Sequence, residues 1–525
     1  MSKFDRASKA AAMLTSPVRA LRNARSRTVT HEGAPALVRD TKGELFLLAV
    51  TNLAGEDTFY EDGDTRDERF RTLVHAATAE DPEWVARLVS WLRTTANLRS
   101  APVVAAVEYV RAGGPHGRRV VDGALLRADE PAEVLAYYTS RYGRALPQPI
   151  KRGVADAARR LYTERAALKY DGVSRAWRMA DVLELCHVRP RDDAQSALFR
   201  WLLDRRHGRA DTVVPADRLP VVHANTQLNA VPQNERRQHL RTTALADAGL
   251  TWEALAGWLG GPMDRTAWEA VIPSMGYMAL LRNLRNFDEA GVSDAVAETV
   301  AARLADPEQV RRSRQFPFRF VAAYRNAPSL RWAYALDKAI GTATANVPAF
   351  AGRTLVLVDT SASMTQRAFS QRSSMSPVEA AAVFGVALAK RGNAVDLYGF
   401  ADGVFAHWIA RRTSLLTEAD RLVGRVGEAG HGTRIAEAVR ATYRRHDRVV
   451  IVTDMQTFPD GAGRGGDPVA AVPAKVPVYG FNLGGYRPTV VAAGRANRHE
   501  FGGLNDATFT LLSLLENGRS AGWPF

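Results

Sequence analysis

Five residues in the last third of the chain carry oxygen donors at a spacing that suits a hard cation. Asp359, Ser361 and Ser363 alternate along Asp359-Thr360-Ser361-Ala362-Ser363, so one carboxylate and two hydroxyls share a single tight loop. Thr433, at the end of Gly430-His431-Gly432-Thr433, and Asp454, in Thr453-Asp454, are the two further candidates. The set offers neither nitrogen nor sulfur, which favours Mg2+ or another divalent cation of similar hardness over zinc. A phosphatase of the aspartyl-phosphate type would want a second aspartate where Ser361 stands, so the pattern reads as binding and not as phosphoryl transfer.

The elements that must position this loop are short apolar runs rich in β-branched residues, as buried parallel strands are. Thr354–Val358 leads directly into Asp359, and similar runs follow at Ala394–Phe400, Val449–Val452 and Val476–Phe481. Helical stretches are expected between and after them, at Val378–Lys390, Thr433–Arg444 and Asp506–Glu516, with Thr433 as a helix cap. Alternation at this spacing predicts a doubly wound parallel sheet with helices on both faces, and ligands in such folds sit beyond the carboxyl ends of the strands. In this context the five residues resemble the metal-ion-dependent adhesion site of von Willebrand factor A-type domains. The resemblance implies direct coordination by Ser361 and Ser363. Thr433, Asp359 and Asp454 would complete the shell, some through water, and an acidic group of a partner would fill the open position. His431, where that family commonly has glycine, and Arg434, a cation directly after Thr433, keep an A-type fold without metal open as the alternative.

Upstream the text is different. From about Asp67 to Ile340, apolar residues recur at helical spacing: Phe70, Leu73, Val74 and Ala77, then Trp84, Leu88, Trp91 and Leu92, then Trp268, Val271 and Ile272. Paired helices without strict repetition predict an α-solenoid of degenerate, HEAT-like repeats, with its tryptophans as core pegs. Before it, Leu37–Asp40 and Glu44–Val50 flank Thr41-Lys42-Gly43 and read as a β-hairpin. The expected organisation is a basic flexible tail at 1–30, a helical-repeat module at 31–350 and the A-type domain at 351–525.

Charge and composition bound the function. The net charge is +14 with 70 Lys and Arg against 56 Asp and Glu, yet residues 31–350 are nearly balanced. The excess lies in the tail, with seven basic residues against one Asp, and in residues 351–525, with twenty against fifteen; within the middle, residues 141–190 form a local basic patch, with eleven against five. One cysteine, Cys186, excludes a disulfide framework and a Cys-based zinc site. No apolar run reaches the roughly 18 residues that a membrane span needs. A cytoplasmic, monomeric protein without membrane contact is expected. Outside the metal loop there is no carboxylate cluster and no histidine pair at catalytic spacing, so no enzyme is expected.

Three strings narrow the reading. Leu183-Glu184-Leu185-Cys186-His187-Val188-Arg189-Pro190, Ala279-Leu280-Leu281-Arg282-Asn283-Leu284-Arg285-Asn286 and Val356-Leu357-Val358-Asp359-Thr360-Ser361-Ala362-Ser363-Met364 resemble, in this order, strings of the Ro autoantigen family of RNA-binding proteins, built on the TROVE module. The Ala- and Arg-rich composition points to a bacterial member. The resemblance implies a ring of helical repeats bridged by the A-type domain. Small stem-loop, Y-like RNAs would bind the outer surface, and single-stranded 3′ ends of misfolded RNA the hole, in RNA quality control. It leaves open a 3′ exoribonuclease as a protein partner. Lys169 corresponds to an RNA-contacting lysine, His187 to a histidine of the same surface, and Arg175 to the neighbouring arginine across a loop of different length. Lys151 and Arg152 add local charge suited to phosphates, and Arg282 and Arg285 are candidates to line the hole. A second cluster, Arg311 to Arg319, mixes cations with Phe316 and Phe318, as single-strand sites do; a solvated helix end with two core phenylalanines is the alternative. In a different class, the protein is an adaptor whose A-type domain grips a partner's carboxylate while the helices serve as scaffold.

Overall fold

The structure is a computed structural model. It describes residues 27–29, 35–37, 40–51, 63–96, 98–209, 213–313, 317–327, 329–344, 350–365, 375–410, 413–458, 467–484, 491, 497–502, 523 and 525. The expected helix at Asp506–Glu516 lies outside the described residues. The chain forms two compact units. One holds Pro102–Gln309 and Asn326–Ala335; the other holds the described parts of Leu14–Ala101, Val310–Arg325 and Leu336–Phe525.

The second unit is built on a six-stranded sheet. After a short antiparallel pair, β1 (Arg27–Val29) and β2 (Pro35–Leu37), come β3 (Arg353–Asp359), β4 (Ala394–Phe400), β5 (Val404–Ala406), β6 (Arg448–Thr453), β7 (Val478–Asn482) and β8 (Arg498–Gly502). The order in the sheet is β5-β4-β3-β6-β7-β8. All neighbours run parallel, as the strand spacing predicts, except β5, a short edge strand outside the apolar runs read from the sequence, which turns back on β4 antiparallel. Three residues separate β4 from β5, room for a hairpin but not for a crossover. On one face Leu355 and Leu357 pack with Ile435 and Val439 of the helix Ile435–Thr442, and the helix Pro377–Arg391 packs on β3 and β4. Because β3 lies between β4 and β6, the chain segments leaving these three strands emerge side by side.

The hairpin expected around Thr41 does not form. Thr41–Thr51 is a helix, and the antiparallel pairing lies earlier, Arg27 opposite Leu37 and Val29 opposite Pro35, so that a strand takes up the last residues of the segment read as a flexible tail. Asp40 decides the outcome: its Oδ1 accepts from the Gly43 amide at 2.8 Å and its carbonyl from the Glu44 amide at 2.9 Å, as an N-terminal cap does. Leu45, Phe46, Leu48 and Ala49 are then all buried, against the helix Gly63–Glu80 and β8. A short apolar run buried on every side has the same letters as a strand.

The other unit is helical, as expected, from the helix Ser100–Arg111 to the start of Leu330–Thr344. Trp258, Trp268 and Trp332 are buried. Buried polar side chains tie consecutive helices. Glu108 accepts from the hydroxyls of Tyr137 (2.6 Å) and Tyr142 (2.8 Å). Gln195 donates to the carbonyls of Arg159 and Tyr162. Each such group is satisfied within the helical stack, so its burial carries little penalty.

Candidate functional site

Asp359 ends β3 and is completely buried. Its Oδ1 accepts from the Ser361 amide at 2.9 Å and its Oδ2 from the Thr453 hydroxyl. Burial pushes its carboxyl up to about 6, against the opposing pull of the Ser361 and Thr453 hydrogen bonds. Ser361 is buried and its Oγ lies 3.3 Å from the Oγ of half-buried Ser363. Adjacent ligands of an octahedral ion at about 2.1 Å are roughly 3.0 Å apart, so these two hydroxyls are spaced as neighbouring ligands are.

Thr433 and Asp454 are also buried. The Thr433 carbonyl accepts from the Phe458 amide and the Thr457 hydroxyl, both at 2.8 Å, and Asp454 Oδ1 accepts from the Gln456 amide at 3.1 Å. The Ala362 amide donates to the His431 carbonyl at 2.9 Å. Thus the loops after β3 and β6 and the Gly430–Thr433 segment are stitched to one another. Thr433 does not cap the helix that follows: the helix begins at Ile435, whose amide donates to Thr457 Oγ1 at 3.1 Å. The His431 side chain is exposed. Arg434 is held by Asp402 (3.4 Å) and Glu437 (3.6 Å), with its guanidinium 5.9 Å from the Phe458 ring centre.

Among the described residues no group of three or more His, Cys, Asp and Glu is arranged to hold a metal. A cation here would depend on hydroxyl ligands, and the chemistry of the donor set fits one: two carboxylates and three hydroxyls, with a desolvated anion at the centre. Asp402 was not among the sequence candidates. Its only signal was its place two residues past the apolar run of β4. Its Oδ2 accepts from the amides of His431 (3.0 Å) and Gly432 (2.9 Å), and the Gly432 amide leads the contacts that hold its carboxyl below the usual range.

In the helical unit, Lys169 is exposed near the end of the helix Glu164–Tyr170, its ammonium 5.2 Å from the Tyr170 ring centre. Next comes Asp171, fully buried, which accepts from Arg178 at 2.5 Å and from the Met179 amide at 2.8 Å. This pins the end of the Lys169 helix to the start of the helix Met179–Cys186. His187 caps the far end of that helix in the left-handed region, φ +52°, exposed to solvent. Lys169 and His187 therefore flank an eight-residue helix that is about 12 Å long. Lys151 sits half-buried on the helix Gln148–Leu161, which packs against Met179–Cys186, and its charge reaches the Cys186 thiol. Arg152 is exposed and Arg175 half-buried. Cys186 itself is buried, its thiol pushed up to about 12 by desolvation, which suits the core role its position implies.

Arg282 and Arg285 lie on the exposed face of the helix Tyr277–Glu289, opposite buried Leu280, Leu281, Leu284 and Phe287. Arg285 is paired with Glu289 at 2.7 Å. In the second basic cluster Arg311 and Arg312 are exposed and Arg319 half-buried, while residues 314–316 lie outside the described set.

Known proteins resemble this chain in sequence and in fold. Residues 250–352 match the TROVE domain family, a stretch that contains Arg282 and Arg285. The chain is 27% identical over 291 residues to the RNA-binding protein RO60 of Deinococcus radiodurans, a match covering 48% of this chain and 49% of that protein. It is 38% identical over 82 residues to telomerase protein component 1 of Mus musculus, covering 15% of this chain and 3% of that protein. The matches thus span about half or less of these relatives. The crystal structure of the Deinococcus radiodurans RO (RSR) protein superposes with a TM-score of 0.65 at 18% identity, over 91% of this chain and 100% of that one. The chain carries a TROVE-domain match and has the fold of that Ro protein, helical repeats followed by an A-type-like sheet domain.

Proposed function

We propose that this protein is a non-catalytic RNA-binding scaffold of the Ro type. The observation that carries the reading is its likeness, over 291 residues, to a protein named as RNA-binding. Exposed and half-buried basic side chains in the helical unit support it. Lys169, His187, Lys151, Arg152 and Arg175 form the surface for a small structured, Y-like RNA: lysine and arginine meet phosphates without reading sequence, and a histidine can stack on or hydrogen-bond an unpaired base. Arg282 and Arg285 serve a second ligand, the single-stranded 3′ end of misfolded RNA, and Arg282 carries more of that contact because Arg285 is engaged by Glu289. The role is RNA quality control in the cytoplasm, with a 3′ exoribonuclease as a partner acting on the same RNA.

In the sheet unit Asp359, Ser361, Ser363, Thr433 and Asp454 would hold Mg2+. Bound there, the ion supplies positive charge that organises the loops and offers an open position to an acidic partner. The chain's own residues exclude water from Asp359 and align the two serine hydroxyls.

A filter-binding titration of stem-loop and single-stranded RNA against salt tests the RNA reading. Binding should be tight at about 50 mM salt and fall steeply by about 200 mM as counterions are released. RNA binding no better than that of a neutral control protein would sink it and favour the adaptor.

A further inference from the structure

Resting on the metal reading above, we propose that Asp402 is the positioning residue of the metal loop. It fixes the Gly430–Thr433 segment that presents Thr433, and it takes up the charge of Arg434.

Asp402 leaves the carboxyl end of β4, the neighbour of β3. One oxygen accepts from two consecutive amides, His431 and Gly432, and the other from Arg434 Nε. The segment wraps the carboxylate so closely that a Cβ on Gly430 would stand 2.4 Å from its Oδ2, and one on Gly432 2.3 Å from its Oδ1. Gly430 also has φ +91°, where side chains are strained. Around this anchor the Gly403 amide donates to the Ala429 carbonyl at 2.8 Å and the Arg434 amide to the Ala401 carbonyl at 3.0 Å. Thr433 is therefore set between a support on the β4 side and the Thr457 and Phe458 contacts on the β6 side.

The charge argument is separate. Arg434 follows a proposed ligand directly, and an uncompensated guanidinium there would oppose a divalent cation. Asp402 and Glu437 compensate it, which answers on geometric grounds why this cation can neighbour the loop.

The test is calorimetric titration of the full chain with MgCl2, paired with amide hydrogen exchange of residues 430–434 in EDTA. Asp402→Ala should weaken Mg2+ binding tenfold or more, on the scale of losses seen when groups that orient metal ligands are removed, and should speed exchange of the His431 and Gly432 amides without any metal. Asp402→Asn keeps an acceptor but not the charge, so it should retain most of the exchange protection and lose part of the affinity. Adding Arg434→Ala to Asp402→Ala should recover part of the affinity. Wild-type affinity in Asp402→Ala overturns the proposal. If the wild-type chain takes up no Mg2+, the metal reading fails by itself, and exchange decides the positioning role: unchanged protection in Asp402→Ala then overturns it.

Discussion

At the scale of single residues, Asp359 is the group whose chemistry depends most on what occupies the loop. Its carboxyl is pushed up to about 6 from an ordinary 3.8 by burial. A carboxyl that titrates higher when folded holds its proton more tightly in the native state, so the stability it contributes is present below about pH 4 and lost as pH rises through 6. A bound divalent cation would stabilise the anion and reverse that trend. Urea denaturation between pH 4 and 8 should show this decline in EDTA, should show it reduced by Mg2+, and should lose it in Asp359→Asn. Identical pH curves with and without Mg2+ would remove the metal from the loop. On the basic surface, Lys169→Ala should lower the salt slope of stem-loop binding by about one. The double variant Lys169→Ala/His187→Ala should lose stem-loop affinity while keeping single-strand affinity. Equal loss of both would argue for one shared site.

Among elements, the junction around Asp171 determines how the proposed RNA surface is presented. Asp171 and Arg178 are both buried, at 0% and 5% side-chain exposure, and Asp171 also receives the Met179 amide. Removing one partner of such a pair leaves a buried charge alone, which costs about 3–5 kcal/mol. Asp171→Ala should lower the unfolding free energy on that scale and weaken stem-loop binding together with it, because the helices bearing Lys169 and His187 are joined there. Stability lost with RNA binding intact would show that the surface does not depend on this junction. The misread hairpin at Thr41 belongs to this scale too. Periodicity identified the long helices, where many residues vote for one period, but a run of six apolar residues, Leu45–Val50, carries no such vote. The Asp40 cap, a single side chain, settled the matter.

For the whole molecule, the compact units do not follow the sequence boundary near residue 350. The N-terminal helices to Thr94 belong with the sheet. The helix Thr41–Thr51 packs on β8, Arg66 donates to the Gly484 carbonyl at 2.8 Å, and Trp84 meets Trp523 edge-on with ring centres 4.8 Å apart. A fragment of residues 351–525 would expose those surfaces to water. It should melt with low cooperativity and bind a hydrophobic dye, whereas the full chain should not. A cooperative, dye-free fragment would show that the sheet needs no N-terminal helices.

What the sequence by itself determined was whatever local chemistry encodes: strands as β-branched runs, helices as long amphipathic periods, and an Asp-x-Ser-x-Ser loop of oxygen donors directly after a strand. It also located the basic stretch at 141–190, since charge can be counted without a fold. Tertiary structure alone decided which segments meet. Strand order put Asp402 beside the loop that carries Thr433, and no spacing along the chain announces a partner some thirty residues away. The left-handed cap carried His187 off its helix into solvent, and Asp171 joined that helix to Lys169. Around the Asp359 loop, four of the five oxygen donors are buried and Ser363 is half-buried, and a carboxylate from the neighbouring strand holds the segment that presents Thr433.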